Sequence, residues 1–149
     1  MARMASGRSN MANAGARAKA RKASLIDGTR MRQLLQQGTD SIGVSIGEFG
    51  YRSEMDLYSA RMGGSDAIEA ALSHNLDNDL DSVLDFCQGN LKGLVAIYVE
   101  RFHYEKAKTV LRAVNKGASD GLIADQILPE ENPKNSLWLH IVRTTETVQ

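Results

Sequence analysis

Residues 65–87 read SDAIEAALSHNLDNDLDSVLDFC, and this stretch decides the fold class. Ile68, Leu72, Leu76, Leu80, Val83, Leu84 and Cys87 recur at spacings of three and four, which places them on one face of an α-helix. Asn75, Asp77, Asn78, Asp81, Ser82 and Asp85 fall on the opposite face. Ser65 or Asp66 is the expected N-cap, because a short polar side chain there can accept a backbone N–H of the first turn. The helix is predicted to run to about Phe86. On this reading Cys87 is a small buried hydrophobe at the end of the stripe.

Upstream the elements are shorter. Residues 1–10, MARMASGRSN, are small and polar and read as part of a flexible leader. Met11 to Leu25 is rich in Ala, Arg and Lys, all strong helix formers. Asp27 is a plausible N-cap for a helix through Met31, Leu34 and Leu35 that closes at Gly38. Thr39 or Asp40 is expected to cap a third helix with Ile42 and Ile46 inward, ending near residues 47–50. Ser53 is expected to cap a short helix holding Glu54, Met55 and Tyr58.

Downstream, Asn90 is the predicted cap of a helix whose stripe is Leu91, Leu94, Val95, Tyr98 and Phe102. A separate helix is expected to follow, with Ala107, Val110, Leu111 and Val114 inward and Gly117 as its C′ residue. Ser119 and Asp120 start a short helix through Ile123 and Leu128, stopped by Pro129. Residues 129–136 (PEENPKNS) read as a turn-rich linker. Residues 137–142 (LWLHIV) show the chain's one weak hint of strand alternation. The expected fold is all-α, a compact lobe of about six to eight short and medium helices.

Composition agrees. The chain has 149 residues, 42% hydrophobic and 24% charged, with aromatics at 5% and two prolines. That suits one soluble domain able to bury a core unaided. The single cysteine excludes an internal disulfide. No apolar run approaches the roughly 20 residues needed to span a bilayer. The basic N-terminus lacks the apolar segment of a secretory signal, and a cytoplasmic location is expected.

Net charge is zero, yet residues 1–32 hold eight basic residues against one acid, Asp27. The remainder carries the compensating negative charge. Such a split suggests a basic arm with an anionic partner. The candidate contact residues are Arg17, Lys19, Arg21 and Lys22, with Lys108 and Arg112 further along. The plainer alternative is internal pairing with Asp77, Asp81 or Asp85.

Catalytic signatures are missing from the sequence. There is no phosphate-loop or dinucleotide pattern, no HExxH and no CxxC. His74, His103 and His140 are far apart, so no metal or cofactor is expected. The i,i+4 pair Asp77 and Asp81 reads as a solvated face, not a tuned acid–base pair. The basic arm lacks stacking aromatics and any helix-turn-helix or RRM signature, so no nucleic-acid partner is expected.

Several stretches resemble one family. Residues 16–26, ARAKARKASLI, resemble the A-R-V-[RK]-A-x-K-x-x-L-L stretch near the start of the C subunit of archaeal A-type and bacterial V/A-type ATP synthases, whose eukaryotic counterpart is the d subunit of V-ATPase. Residues 51–57 (YRSEMDL) resemble its Y-x-x-E-[IM]-x-x-L region, and residues 66–76 (DAIEAALSHNL) its D-L-I-E-x-A-L-x-x-N-L helix. Residues 101–112 (RFHYEKAKTVLR) resemble R-F-D-x-x-N-[IL]-K-T-[VL]-[IL]-R. Gly117, Ala118 and Ser119, then Leu128 and Pro129, follow at the family's places. The sequence departs from the pattern at Met11 and Ala12, where the family has an aromatic, and at His103 and Lys106, where it has Asp and Asn. No resemblance extends beyond about Glu131.

The resemblance implies a flexible leader over 1–12, a helical lobe like that of the C subunit over 13–129 and a divergent tail over 130–149. The family has three helical lobes, so a truncated form is expected. The implied role is that of a non-catalytic component of the central stalk. It would couple the membrane rotor ring to the central shaft, linking proton or sodium transport to ATP synthesis or hydrolysis. Its partners would be the shaft subunits and the ring, with membrane contact only through the ring. A free-standing helical adaptor, or a nucleic-acid binder acting through the basic arm, are the alternatives.

Overall fold

The computed structural model describes residues 8–144. It is all-α, with no strand among the described residues. Two compact units divide between Val95 and Ala96.

The first unit begins with α1 (Met11–Ser24) and α2 (Gly28–Leu34). Asp27 caps α2 as expected, its carboxylate accepting the backbone N–H groups of Thr29 and Arg30, both at 2.8 Å. Those same bonds, Arg30 first, hold its carboxyl below the usual Asp range. Next come α3 (Thr39–Ile46) and α4 (Arg52–Ser59), joined through a wide helical turn over Gly47–Tyr51. Gly50 sits there at φ 107°, where a side chain would be strained. Four expected caps do not form, one of them Asn90, which lies inside a helix that begins at Gly89. Gly38, not Thr39 or Asp40, precedes α3, and Tyr51 precedes α4 in place of Ser53. Gly63 precedes α5 (Gly64–Phe86), displacing Ser65 and Asp66.

The buried face of α5 also differs from the large-aliphatic stripe. Ala67, Ala70 and Ala71 are its inward residues, with Ala71 at 0% exposure, while Leu76 is 42% exposed. The reason is close approach. α5 packs on α3 and α4, and Met55 and Tyr58 of α4 fill the space above those alanines with Leu34 and Ile46. A large side chain would push the helices apart. Ile68 and Leu72 flank the contact, partly buried. Tyr58 is fully buried, and its hydroxyl lies 3.1 Å from Nδ1 of His74.

Phe86 and Cys87 are buried with Ala14 of α1, so the reading of Cys87 as a small buried hydrophobe holds. The segment before α1 straps this corner. The Asn10 side-chain amide donates to the Phe86 carbonyl at 2.7 Å and its Oδ1 accepts the Gln88 N–H at 2.9 Å. The Ser9 hydroxyl accepts the Leu91 N–H at 3.2 Å. Of the leader expected over 1–12, residues 1–7 lie outside the described residues.

α6 (Gly89–Asn115) is one helix of 27 residues, not the two expected. No proline interrupts it, and its single interior glycine, Gly93, is tolerated. Within the first unit, Leu91 and Val95 pack against Phe86 and Cys87. Gly117, at φ 79°, ends α6 as predicted: its N–H donates to Val114 and that of Ala118 to Ala113. That pair of bonds is the Schellman arrangement.

The second unit takes the rest of α6, then α7 (Asp120–Leu122) capped by the Ser119 hydroxyl and continued by a wider turn over Ile123–Ile127. After a 3-10 turn at Pro133–Asn135 comes α8 (Ser136–Thr144). Residues 137–142, weakly strand-like in sequence, are therefore helical. Leu139 and Val142 are buried with Val110, Ile123 and Leu128. Residues 145–149 of the expected tail lie outside the described residues.

Candidate functional site

The cations singled out in the sequence fall into two groups. On α1, spacings of four put Arg17 and Arg21 on the side that faces α5. The Arg17 guanidinium lies 4.7 Å from the centre of the Phe86 ring, and Arg21 pairs with Asp79. With Ser82 and Asp85 they line a small cleft of ≈ 240 Å³. Lys19 and Lys22 point away and are exposed. The arm's cations thus divide between contacts with the acidic α5 and open surface. Asp79, absent from the acids weighed in the sequence, is the residue that receives Arg21. Helical phase alone could have suggested it, since Asp79 and Phe86 are seven apart.

On α6, Lys108 Nζ donates to Glu105 Oε1 at 2.9 Å. That hydrogen bond first, then the charges of Lys108, Arg112 and Arg101, hold the Glu105 carboxyl below its usual range. Arg112 is exposed on the same side. The structure thus brings Lys108 and Arg112 together.

A third feature has no counterpart in the sequence reading. Between α3, α4 and the start of α5 lies a cleft of ≈ 430 Å³. Gly43, Gly47, Met55 and Ala67 lie along it, and Asp40, Glu48, Arg52 and Asp56 supply its charge. It contains neither histidine nor cysteine and no nucleophile beside a base. Nearby, burial is the largest influence on Glu54 and pushes its carboxyl up. Hydrogen bonds from the Ser53 hydroxyl, its own backbone N–H and Asn75 together outweigh burial, and the pKa ends below the usual value.

Among the described residues no group of His, Cys, Asp and Glu could hold a metal ion. No helix among them is long and apolar enough to cross a membrane. What the surface offers chemically is charge and apolar contact for docking.

Comparison with known proteins agrees in kind. The model of the family "ATP synthase (C/AC39) subunit" matches residues 14–146. The C subunit of the A-type ATP synthase of Halorubrum lacusprofundi is 36% identical over 117 residues, which is 78% of this chain and 34% of that protein. Its counterpart in Haloferax volcanii is 35% identical over 104 residues, 70% of this chain and 30% of that one. That of Methanosarcina acetivorans is 34% identical over 113 residues, 76% and 31%. No solved structure matches. The chain spans about a third of the length of these curated relatives. A family match from Ala14 into the residues beyond α8, carried by these helices, has one meaning: the chain belongs to the ATP synthase (C/AC39) subunit family.

Proposed function

We propose that this chain is a non-catalytic central-stalk component of a rotary A/V-type ATP synthase. It couples the membrane rotor ring to the central shaft, and so ion transport to ATP synthesis or hydrolysis. The observation that carries the reading is the family match over nearly all of the described chain. The helical surfaces support it, because passing torque asks for stiff packed helices and complementary charge, not activated side chains. Its place would be the cytoplasmic side of the membrane, held there through the ring.

In this reading the exposed cations Lys19 and Lys22 of α1, and Lys108 and Arg112 of α6, are contacts for acidic partner surfaces. Arg17 and Arg21 set the pose of α1 on α5. Co-purification with shaft and ring subunits of a rotary ATPase tests the proposal. Stoichiometric retention is expected, and a folded helical chain that is not retained would overturn it. Retention on DNA without rotor-subunit binding would favour a nucleic-acid role instead.

A further inference from the structure

We propose that the outward side of α6 between Ile97 and Arg112 is a docking strip for an acidic amphipathic helix of a partner protein. Ile97 is 65% exposed, Tyr98 56%, Tyr104 62% and Leu111 51%. At 100° per residue Ile97 and Tyr104 fall on the side of the helix away from Val99 and Val110, which are buried, and Leu111 and Tyr98 lie toward its two margins. A helix whose inner side is already seated in its own core does not need four large apolar groups outside. They stand on the two margins of that side, large apolar groups left open beside a row of charges, as at an interaction site.

The charge in the strip says what covers it. Arg101 and Lys108 occupy its centre line and Arg112 lies beside them. Glu105 is the carboxylate among these three cations, and it accepts a hydrogen bond from Lys108 at 2.9 Å. Glu100 sits at the margin, so an excess of positive charge remains. One end is already organised: the Tyr98 and Phe102 rings meet edge to face at 5.8 Å, and the Arg101 guanidinium is 5.5 Å from each. A guanidinium held beside two aromatic rings keeps its N–H donors free to grip a carboxylate.

The strip is narrow and runs along the axis for about 20 Å, the shape of a second helix laid alongside. An anionic membrane fits less well. Insertion needs an apolar centre with cations at the edges, and here the cations hold the centre. The proposal deepens the reading given above, and rests on it for Lys108 and Arg112 as contact residues. Its test does not depend on that reading.

The probe is a labelled model helix of about three heptads, with Glu along the middle of its contact face and Leu at the edges, titrated into the full chain by fluorescence anisotropy. A peptide with Lys replacing Glu, and anionic phosphatidylserine vesicles, run beside it. The Glu peptide should bind and the Lys peptide should not. The pair Ile97→Ser and Tyr104→Ser, and separately Arg101→Glu with Arg112→Glu, should each weaken binding by at least about tenfold, with circular dichroism unchanged. Equal binding of both peptides, full binding by either variant, uptake by vesicles alone, or self-association that consumes the strip would overturn the proposal. Binding of the peptide without co-purification of rotor subunits would remove the coupling role and keep the strip. Co-purification without peptide binding would do the reverse.

Discussion

Lys106 stands where the resembling family has Asn, and its longer side chain reaches what a shorter one would not. Its ammonium donates to Oδ1 of Asn135 at 2.9 Å. Asn135 is 2% exposed, and its amide in turn holds the Pro129 carbonyl at 2.9 Å. Lys106 thus helps hold the turn that brings α8 back to α6, through a buried amide. Lys106→Met should leave that acceptor bare and cost about 1–3 kcal/mol, read as a lower denaturation midpoint. Glu54 gives a pH effect. Its folded-state pKa lies below the ordinary 4.5, so its stabilisation is present above that value and is lost as pH falls through the folded one. Midpoints measured from about pH 6 down to pH 3 should therefore drop, and Glu54→Gln should flatten the slope. At this scale the sequence was partly legible. Asp27 and Gly117 act through neighbours two to four residues away, and their roles could be read directly. Asn10 and Ser9 act on residues 76 to 82 positions distant, and no local rule reaches that far.

Element existence was well marked, because 3.6-residue periodicity survives almost any tertiary context. The side each helix buries was less well marked. Size misled the reading of α5: large aliphatics signal burial, yet the helix turns its alanines inward because α4 lies so close. Ala71→Leu is the sharp test. Despite adding apolar surface at a helix-favouring position, it should destabilise by about 1–3 kcal/mol through overpacking, where Leu76→Ala should be nearly neutral. Thermal denaturation of the two variants would separate the faces. α6 carried the opposite error. A change of stripe near residues 102–107 looked like a break between two helices. It is a continuous helix with apolar groups on both sides, the inner set seated in a core and the outer set open.

For the molecule as a whole, the uneven charge of the sequence becomes a matter of which surfaces meet. Part of the basic arm is spent on α5 through Arg17 and Arg21, and Lys19 and Lys22 are left outward. Retention on shaft and ring subunits should therefore fall as salt rises above about 0.15 M. Lys19→Glu with Lys22→Glu should reduce it without lowering the melting midpoint, while Arg21→Glu should lower both. The candidate contacts were legible as charge clusters, but which of them face inward depended on helix packing that charge counting cannot supply. The alanine contact between α4 and α5 has one more consequence, in time. Tyr58 and His74 are only 16 positions apart, so closing that hairpin surrenders little chain entropy. Contacts of such short range form early. The first unit's core is thus expected to nucleate at this hairpin while later helices are still being synthesised. Conservative substitutions at Met55 or Ala70 should then slow refolding, and Ile123→Val should chiefly hasten unfolding.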